Sequence, residues 1–396
     1  MRRIRSDYCW VNLGVKTEVK GEVTRFKARL AAQGFFQKEG KDYGEIFSPV
    51  VNRCDVLLLI ALSTIRKMLV YSIDIKTAFL NAPLDRTLYV RYPRGESRKV
   101  NGLEEVLKLK RAIYGLKQSP RLWNDTLMDV LEEIGFVKTA ISPSILTRTE
   151  SSNQIILGIY VDDIIILTEN MREVKWFLDK ITTVFEVNEP ERIRRFLGMN
   201  ITQSEDRGKM TVSMKPYIEQ AFQELGLEED PRVNTPILVT APFKLSNDEL
   251  YSETLEGTRL TEYQSIVGKI RYICTARPDI QLAARRVSQF NAAPQVYHMK
   301  LANKIMQYVY NTRDMEIQYE GSDTSWSKLR AYADASFAAP TEDHQSVQGY
   351  VIMLAGGPIE WSSKQINTAK KKYNRCRDYS TSKCCGDYFE SSKPIG

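Results

Sequence analysis

The sequence predicts an α+β chain whose first part is organised around an antiparallel sheet. To about residue 210, runs with a period of two alternate with runs of helical period. Within that stretch, the β-branched runs Ile155–Tyr160 and Ile164–Leu167 flank the acid pair Asp162-Asp163 and read as a tight hairpin. Helical patterns then dominate from Thr261 until strand patterns return at Met315.

Taken in order, Cys54–Leu69 is the first helix candidate. Tyr71–Leu80 alternates as a strand, with Ile73, Ile75, Thr77 and Phe79 on one face and Ser72, Asp74 and Lys76 on the other. Ser119-Pro120 is a helix start, serine as N-cap and proline in the first helical position. That helix runs through Trp123, Leu127, Val130, Leu131 and Ile134 until Gly135 stops it. After the acid hairpin, Val174, Phe177, Leu178, Ile181, Val184 and Phe185 fall on one helical face. Residues 228–260 are acidic, then polar with prolines, and read as a linker. Thr261 and Gln264 have capping-box spacing before Ile266, Ile270 and Ile273, and two more helices follow Pro278 and Pro294. Strand patterns close the series at Met315–Tyr319, Leu329–Phe337 and Gly349–Leu354. Thr368–Gly396 is polar, lysine-rich and without apolar periodicity, so it is not expected to pack as a domain.

A chain of 396 residues has room for two or three domains, and 43% hydrophobic with 27% charged residues is ordinary for a globular protein. The net charge of +7 fits a polyanionic partner but decides little alone. Cys9, Cys54, Cys274, Cys376, Cys384 and Cys385 show no C-x-x-C spacing, and His298 and His344 are the only histidines, which argues against a zinc site. The cysteines read as reduced thiols of an intracellular protein. The longest apolar stretch is interrupted by the two acids, so no membrane span is expected, and the basic start Met1-Arg2-Arg3 is followed by no apolar signal core. With so few histidines, catalysis would fall to carboxylates and metal.

Two adjacent carboxylates inside an apolar hairpin need a counterweight, because burying charge is costly and like charges raise each other's pKa. A bound cation, a neighbouring base or simple exposure at a turn would each supply it, and the pair alone does not choose. Asp74 shifts the balance. Phosphoryl transfer by two divalent cations uses acids from separate strands to hold metals about 3.5–4 Å apart, and an acid strand upstream of an acid hairpin meets that need.

The ordered motifs resemble the reverse transcriptases of Ty1/copia-type retrotransposons, from about Phe26 to Gln365. Phe26-Lys27-Ala28-Arg29-Leu30 and Lys41–Val51 look like the fingers blocks. Asp74–Asn81 is similar to the first catalytic motif, Leu109–Trp123 to the template- and nucleotide-contacting motif, and Tyr160-Val161-Asp162-Asp163 to the signature hairpin. Phe196-Leu197-Gly198 resembles the primer-gripping segment, and Glu262-Tyr263 through Asp279-Ile280 a block beyond the palm. The resemblance implies a right-hand polymerase: fingers and palm over 1–210, N-terminally shortened, and a helical thumb or connection over 211–320. A truncated RNase H-like α/β domain over 321–367 and an aberrant or disordered tail over 368–396 would follow.

It also implies roles. Asp74, Asp162 and Asp163 would hold two Mg²⁺ ions, for which Mn²⁺ can substitute. Lys27 and Arg29, or one of them, would bind the incoming triphosphate, unless they only form a solvated strand face. Phe79 would pack under the sugar and select dNTPs, or be an ordinary core aromatic. Tyr114, Gly115 and Gln118 would border nucleotide and template, or form a loop before a capped helix. Lys108, Lys110, Arg111, Lys117 and Arg121 would touch phosphates or be merely solvated. Leu197 and Gly198 would contact the primer. The implied partners are an RNA template, a DNA primer, their hybrid and dNTPs, in cytoplasmic particles or the nucleus, with no membrane and an open oligomeric state.

Ala331-Tyr332-Ala333-Asp334-Ala335 resembles the first strand of the family's RNase H domain, with Asp334 its first acid. The Thr-Glu-Ala-Glu helix that should follow is replaced by the lysine- and cysteine-rich tail, so RNase H activity is expected to be absent. An altered reading frame or a misjoined gene model after about Gln365 would account for the change. Departures also include Gln33, where lysine is usual, and Met199-Asn200 for the common Ile-Glu. A catalytically inactive nucleic-acid-binding remnant, or a fragment that does not fold, are the competing readings.

Overall fold

The computed structural model describes residues 7–17, 23–93, 96, 98–151, 153–236, 253–321, 328–336 and 347–365. It resolves two compact units: Met1–Val51 with Val70–Glu191, and Asn52–Leu69 with Arg192–Gly396. The chain is mixed α/β throughout. The tail that begins at Thr368 lies outside the described residues, as do residues 237–252 of the expected linker.

The first unit is built on a sheet whose strands run Leu69–Asp74, Asp163–Thr168, Asn153–Tyr160, Ile145–Glu150 and Val137–Lys138 in spatial order. The two hairpin strands pair antiparallel from Ile155↔Thr168 to Tyr160↔Asp163. Alternation is nearly absent in them: Ile155, Ile156, Leu157, Ile159 and Ile164 through Leu167 are all buried. A strand that is apolar on both faces is covered on both. The helices Ser119–Glu133 and Met171–Ile181 contribute to that covering, and Trp123, Leu127, Leu131, Phe177 and Ile181 join the strands in one core cluster.

A second sheet in this unit orders Val23–Ala32, Asp7–Thr17, Tyr89–Arg91 and Val106–Lys108. Its small core is Ala32, Leu88, Val90, Ile113 and Leu116.

In the second unit, the strands Arg195–Phe196, Met199–Gln203, Lys209–Ser213 and Ile317–Glu320 form one sheet, and Arg330–Ser336, Val347–Leu354 and Gly357–Gln365 form another. The helix Arg53–Ile65 is capped reciprocally by Asn52 and Asp55 and is buried at most positions, as an enclosed helix should be. It packs against the last strand, and Gly321 lies so close that an added Cβ would meet the Thr64 carbonyl oxygen at 2.2 Å. Gly257–Ile273, Gln281–Ser288 and Val296–Asn311 supply further helices, two of them following Pro278 and Pro294.

Several local expectations change. The first helix ends at Ile65, not Leu69, because Lys67 takes φ 52° and the next strand begins at Leu69. The strand expected to reach Leu80 stops at Asp74; Thr77 adopts φ 52° and Ala78–Asn81 coils into one helical turn. Ser119 is not the N-cap: Gln118 occupies that position, and the Ser119 hydroxyl donates to the Ile113 carbonyl at 2.6 Å. The Thr261/Gln264 box is not formed either, since the helix already starts at Gly257 and the Thr261 hydroxyl donates back to the Gly257 carbonyl at 3.3 Å. Among the described residues, no helix is long and apolar enough to cross a membrane.

Candidate active site

Asp74 is the last residue of its strand and is fixed there by the two segments beside it. On one side, the Ile75 N–H donates to the Asp162 carbonyl at 2.9 Å, tying the strand end to the hairpin tip. On the other, Lys76 N–H donates to the Glu186 carbonyl at 2.8 Å and Asn188 N–H to the Asp74 carbonyl at 3.0 Å. The Asn188 side-chain amide also donates to Asp74 Oδ2 at 2.7 Å. The carboxylate is therefore oriented by a residue more than a hundred positions away.

The hairpin turn is tight. Tyr160 pairs with Asp163, which leaves Val161 and Asp162 as a two-residue loop. Val161 has φ 56°, a value that glycine adopts freely and a β-branched residue resists. Its conformation is held by Trp123, whose indole Nε1–H donates to the Val161 carbonyl at 2.7 Å from a side chain only 1% exposed. Trp123 in turn stands edge-on to Phe185, with ring centroids 5.1 Å apart. Backbone strain of this kind persists only where surrounding contacts impose it.

All three acids are half-buried. Burial first, then the charges of Asp162 and Asp74, push the Asp163 carboxyl up to about 6. The Tyr114 hydroxyl lies within reach of the same field: burial raises it, Arg29 opposes, and Asp162 and Asp74 raise it further. Among the described residues, no three His, Cys, Asp or Glu side chains are drawn together as a ligand cluster. The acids thus act on Asp163 through their charge without forming a closed ligand cluster. Their donor set is all carboxylate oxygen, the hard-ligand type that suits Mg²⁺.

Around the acids, Phe79 and Tyr114 meet edge-to-face with centroids 4.7 Å apart, and the Arg29 guanidinium lies 4.9 Å from the Tyr114 ring centre. Arg29, Phe79 and Tyr114, expected together from separate motifs, therefore form one group. Lys27 shares Arg29's strand, pairing with Gly14.

Gly115 has a backbone explanation: φ is 86°, and a Cβ there would meet the Ala32 carbonyl oxygen at 2.0 Å. Its absent side chain lets the Tyr114 loop dock on the Arg29 strand, where Ala32 N–H donates to the Tyr114 carbonyl at 2.8 Å. Gln118 is fully buried, accepts from Gln37 Nε2 at 3.0 Å and donates to the Asp42 carbonyl at 2.9 Å. Its amide is committed to the loop, so it shapes this region from behind.

The expected phosphate contacts divide. Lys117 donates to the Gln37 carbonyl and the Tyr43 hydroxyl, and Arg121 to Glu45, Asp85 and Asp125. Lys108, Lys110 and Arg111 are exposed.

In the second unit, Leu197 and Gly198 form the two-residue turn of the Arg195–Phe196/Met199–Gln203 hairpin, with φ of 47° and 77°. A Cβ on Gly198 would meet the Tyr272 hydroxyl at 1.7 Å. Asp334 is exposed on its strand, opposite Gly349. Asn188 and Tyr272 were not singled out by sequence, Val161 was named only as part of the hairpin motif, and Trp123 only on its helix and at the end of the template-contacting motif. The bond from Trp123 to the Val161 carbonyl joins residues 38 positions apart, which no local pattern announces.

An acid-tipped hairpin tied to an acid-ended strand, inside a mixed α/β unit, agrees with what the motifs implied. The family described as reverse transcriptase (RNA-dependent DNA polymerase) matches residues 5–239. Over 348 residues the chain is 33% identical to the retrovirus-related Pol polyprotein from transposon RE1 of Arabidopsis thaliana, covering 87% of this chain and 23% of that protein. It is 31% identical over 361 residues to the Pol polyprotein from transposon TNT 1-94 of Nicotiana tabacum, covering 90% of this chain and 26% of the relative. The putative transposon Ty5-1 protein of Saccharomyces cerevisiae is 32% identical over 295 residues, which cover 74% of this chain and 92% of that protein. The chain belongs to the reverse transcriptase family, in the lineage of copia/Ty1-type retrotransposon Pol polyproteins. It spans about a quarter of the length of the plant polyproteins it matches.

Proposed function

We propose that the chain is an RNA-directed DNA polymerase that extends a DNA primer on an RNA template with dNTPs. The observation that carries this is the tie between the Asp74 strand end and the acid hairpin, with the charges of Asp162 and Asp74 helping burial push the Asp163 carboxyl up to about 6. Three carboxylates in such a field cost stability unless a cation is held between them. We assign Asp74, Asp162 and Asp163 as ligands of two Mg²⁺ ions, or of Mn²⁺ in their place. When bound, such ions lower the pKa of the primer 3′-hydroxyl and neutralise charge on the leaving pyrophosphate.

The chain's own residues do the rest. Asn188 orients the Asp74 carboxylate, and Trp123 holds the turn that presents Asp162 and Asp163. Phe79 and Tyr114 offer an aromatic surface to the nucleotide, where Phe79 would crowd a ribose 2′-hydroxyl. Arg29, with Lys27 on the same strand, supplies charge-assisted donors to the triphosphate. Gly115 and Gln118 fix the loop that carries Tyr114. Leu197 and Gly198 are assigned to the primer.

In this reading residues 1–210 correspond to fingers and palm, and the helices over 211–320 to a thumb or connection. In the same reading the Arg330–Gln365 sheet is RNase H-like, with Asp334 as its first acid. The test is primer extension on an RNA template with Mg²⁺, alongside the Asp162→Asn/Asp163→Asn double variant. Mg²⁺-dependent extension that the variant lacks supports the reading. Extension that survives the double substitution refutes the metal assignment, and template binding without extension identifies an inactive remnant.

A further inference from the structure

In the second unit, the turn Leu197-Gly198 is strained. Leu197 takes φ 47° and Gly198 φ 77°, the left-handed pair that a two-residue hairpin loop requires. A leucine resists that conformation, so contacts from outside the hairpin must hold it. The hairpin's own packing lies elsewhere: Phe196 and Met199, on either side of the turn, are buried, whereas Leu197 and Gly198 are only half-buried.

Tyr272 supplies the contact. Its hydroxyl donates to the Leu197 carbonyl at 3.4 Å, a long bond, and stands where a Gly198 side chain would be, 1.7 Å from the position of a Cβ. That carbonyl belongs to the peptide joining the two turn residues, so the tyrosine bears on the plane of that peptide. Tyr272 is the last residue but one of the Gly257–Ile273 helix. Tyr217, from the Lys215–Glu224 helix, meets its ring edge-on with centroids 4.6 Å apart. An ion pair between Lys269 and Glu224 joins the same two helices. Tyr272 keeps 37% of its surface exposed, so burial alone does not account for a tyrosine there, and its hydroxyl is spent on the turn.

We propose that Tyr272, backed by Tyr217, is a positioning residue for the primer: it sets the Leu197-Gly198 peptide so that the primer end meets the turn in one geometry. The inference rests on the assignment of Leu197 and Gly198 to the primer. Tyr272 acts through the turn and takes no part in the chemistry. A misplacement of about 1 Å at a reacting group can cost about a hundredfold in rate, so the setting of the turn matters out of proportion to the weakness of the bond. A defect there should show in the use of primer and not of dNTP, because Arg29, Phe79 and Tyr114, assigned to the nucleotide, belong to the first unit.

The test compares the full chain with Tyr272→Phe, which keeps the ring and removes the hydroxyl, and with Tyr217→Leu, which removes the ring behind it. The probe is a DNA primer with 2-aminopurine as its terminal base, annealed to an RNA template, and thermal unfolding is followed for each protein. Loss of one hydrogen bond converts to a rise of about two- to tenfold in the primer-template KM. That rise in Tyr272→Phe, with the dNTP KM unmoved, the melting temperature kept and the terminal-base fluorescence of the bound primer changed, supports the proposal. Tyr217→Leu should shift in the same direction. A primer KM and fluorescence in Tyr272→Phe like those of the parent overturn it. So do primer and dNTP KM values that change together in step with a lower melting temperature, which would make Tyr272 a structural residue. If the parent chain does not extend the primer, the polymerase reading fails and the fluorescence decides alone. A terminal-base signal that the parent gives and Tyr272→Phe loses keeps the positioning role; the same signal from both, or from neither, removes it.

Discussion

Asn188 holds Asp74 at two points: its backbone N–H donates to the Asp74 carbonyl at 3.0 Å and its side-chain amide to the carboxylate at 2.7 Å. The backbone bond survives truncation of the side chain; the carboxylate bond does not. Asn188 is exposed, so Asn188→Ala is expected to cost little stability, about 0.5–1.5 kcal/mol at most. Asp74 would then sample more rotamers, and primer extension should need a higher Mg²⁺ concentration to reach half its maximum. Titrating Mg²⁺ in the extension assay checks this; an unchanged midpoint would show that Asp74 is positioned without Asn188.

Trp123 is expected to serve both the core and the turn. Trp123→Phe keeps an aromatic ring but removes the bond to the Val161 carbonyl. Loss of a partly buried hydrogen bond and of some packing should cost about 1–3 kcal/mol, read from denaturant unfolding. Extension should fall by more than the folded fraction does, because Val161 can relax from φ 56° and carry Asp162 with it. Activity that falls only in step with folding would reduce Trp123 to a core residue.

How much of this was legible in the sequence can be seen at particular residues. The hairpin was legible because two β-branched apolar runs, Ile155–Tyr160 and Ile164–Leu167, flank a short acid-bearing interruption. The end of the Asp74 strand was not: the alternation runs on past Asp74 through Ile75 and Lys76, and what breaks it is Thr77 in a left-handed conformation that its own side chain disfavours. Tertiary contacts overrode the pattern there. Arg29, Phe79 and Tyr114 were placed in one site by motif, and they do meet. Gln118 carried the same expectation, but its burial depends on partners at Gln37 and Asp42, about eighty positions away, which no local spacing encodes.

Gly198 and Tyr272 make a second pair that can be tested in the second unit. Gly198→Ala faces two penalties: a φ of 77°, and a Cβ that would fall 1.7 Å from the Tyr272 hydroxyl. The left-handed conformation alone costs an alanine about 1–2 kcal/mol. Tyr272→Ala removes only the steric part, so the double variant should recover some but not all of the stability lost by Gly198→Ala. Unfolding of the four proteins in a double-mutant cycle checks this. Strict additivity would mean that Tyr272 yields freely and that the turn conformation alone demands glycine.

The Asp163 carboxyl, raised to about 6 from an ordinary 3.8, makes a prediction about pH that runs opposite to the usual acidic group. Between those values the native state binds its proton more tightly than the unfolded chain does. Lowering the pH through this window therefore favours the native state, and raising it through about 6 removes that contribution. Other carboxylates, such as Asp314 beside Lys215, are held below their usual range and pull the other way. The informative quantity is thus the difference between the parent chain and Asp163→Asn. In metal-free buffer the variant should melt higher than the parent above a pH of about 6, and the gap should close as the pH falls towards about 4. Adding Mg²⁺ should raise the parent's melting temperature and leave the variant's nearly unmoved, because ion binding to the native state stabilises it by mass action. A gap that does not depend on pH would mean that Asp163 is not titrating against Asp162 and Asp74. The carboxylate field on which the proposed metal site rests would then be weaker than the geometry implies.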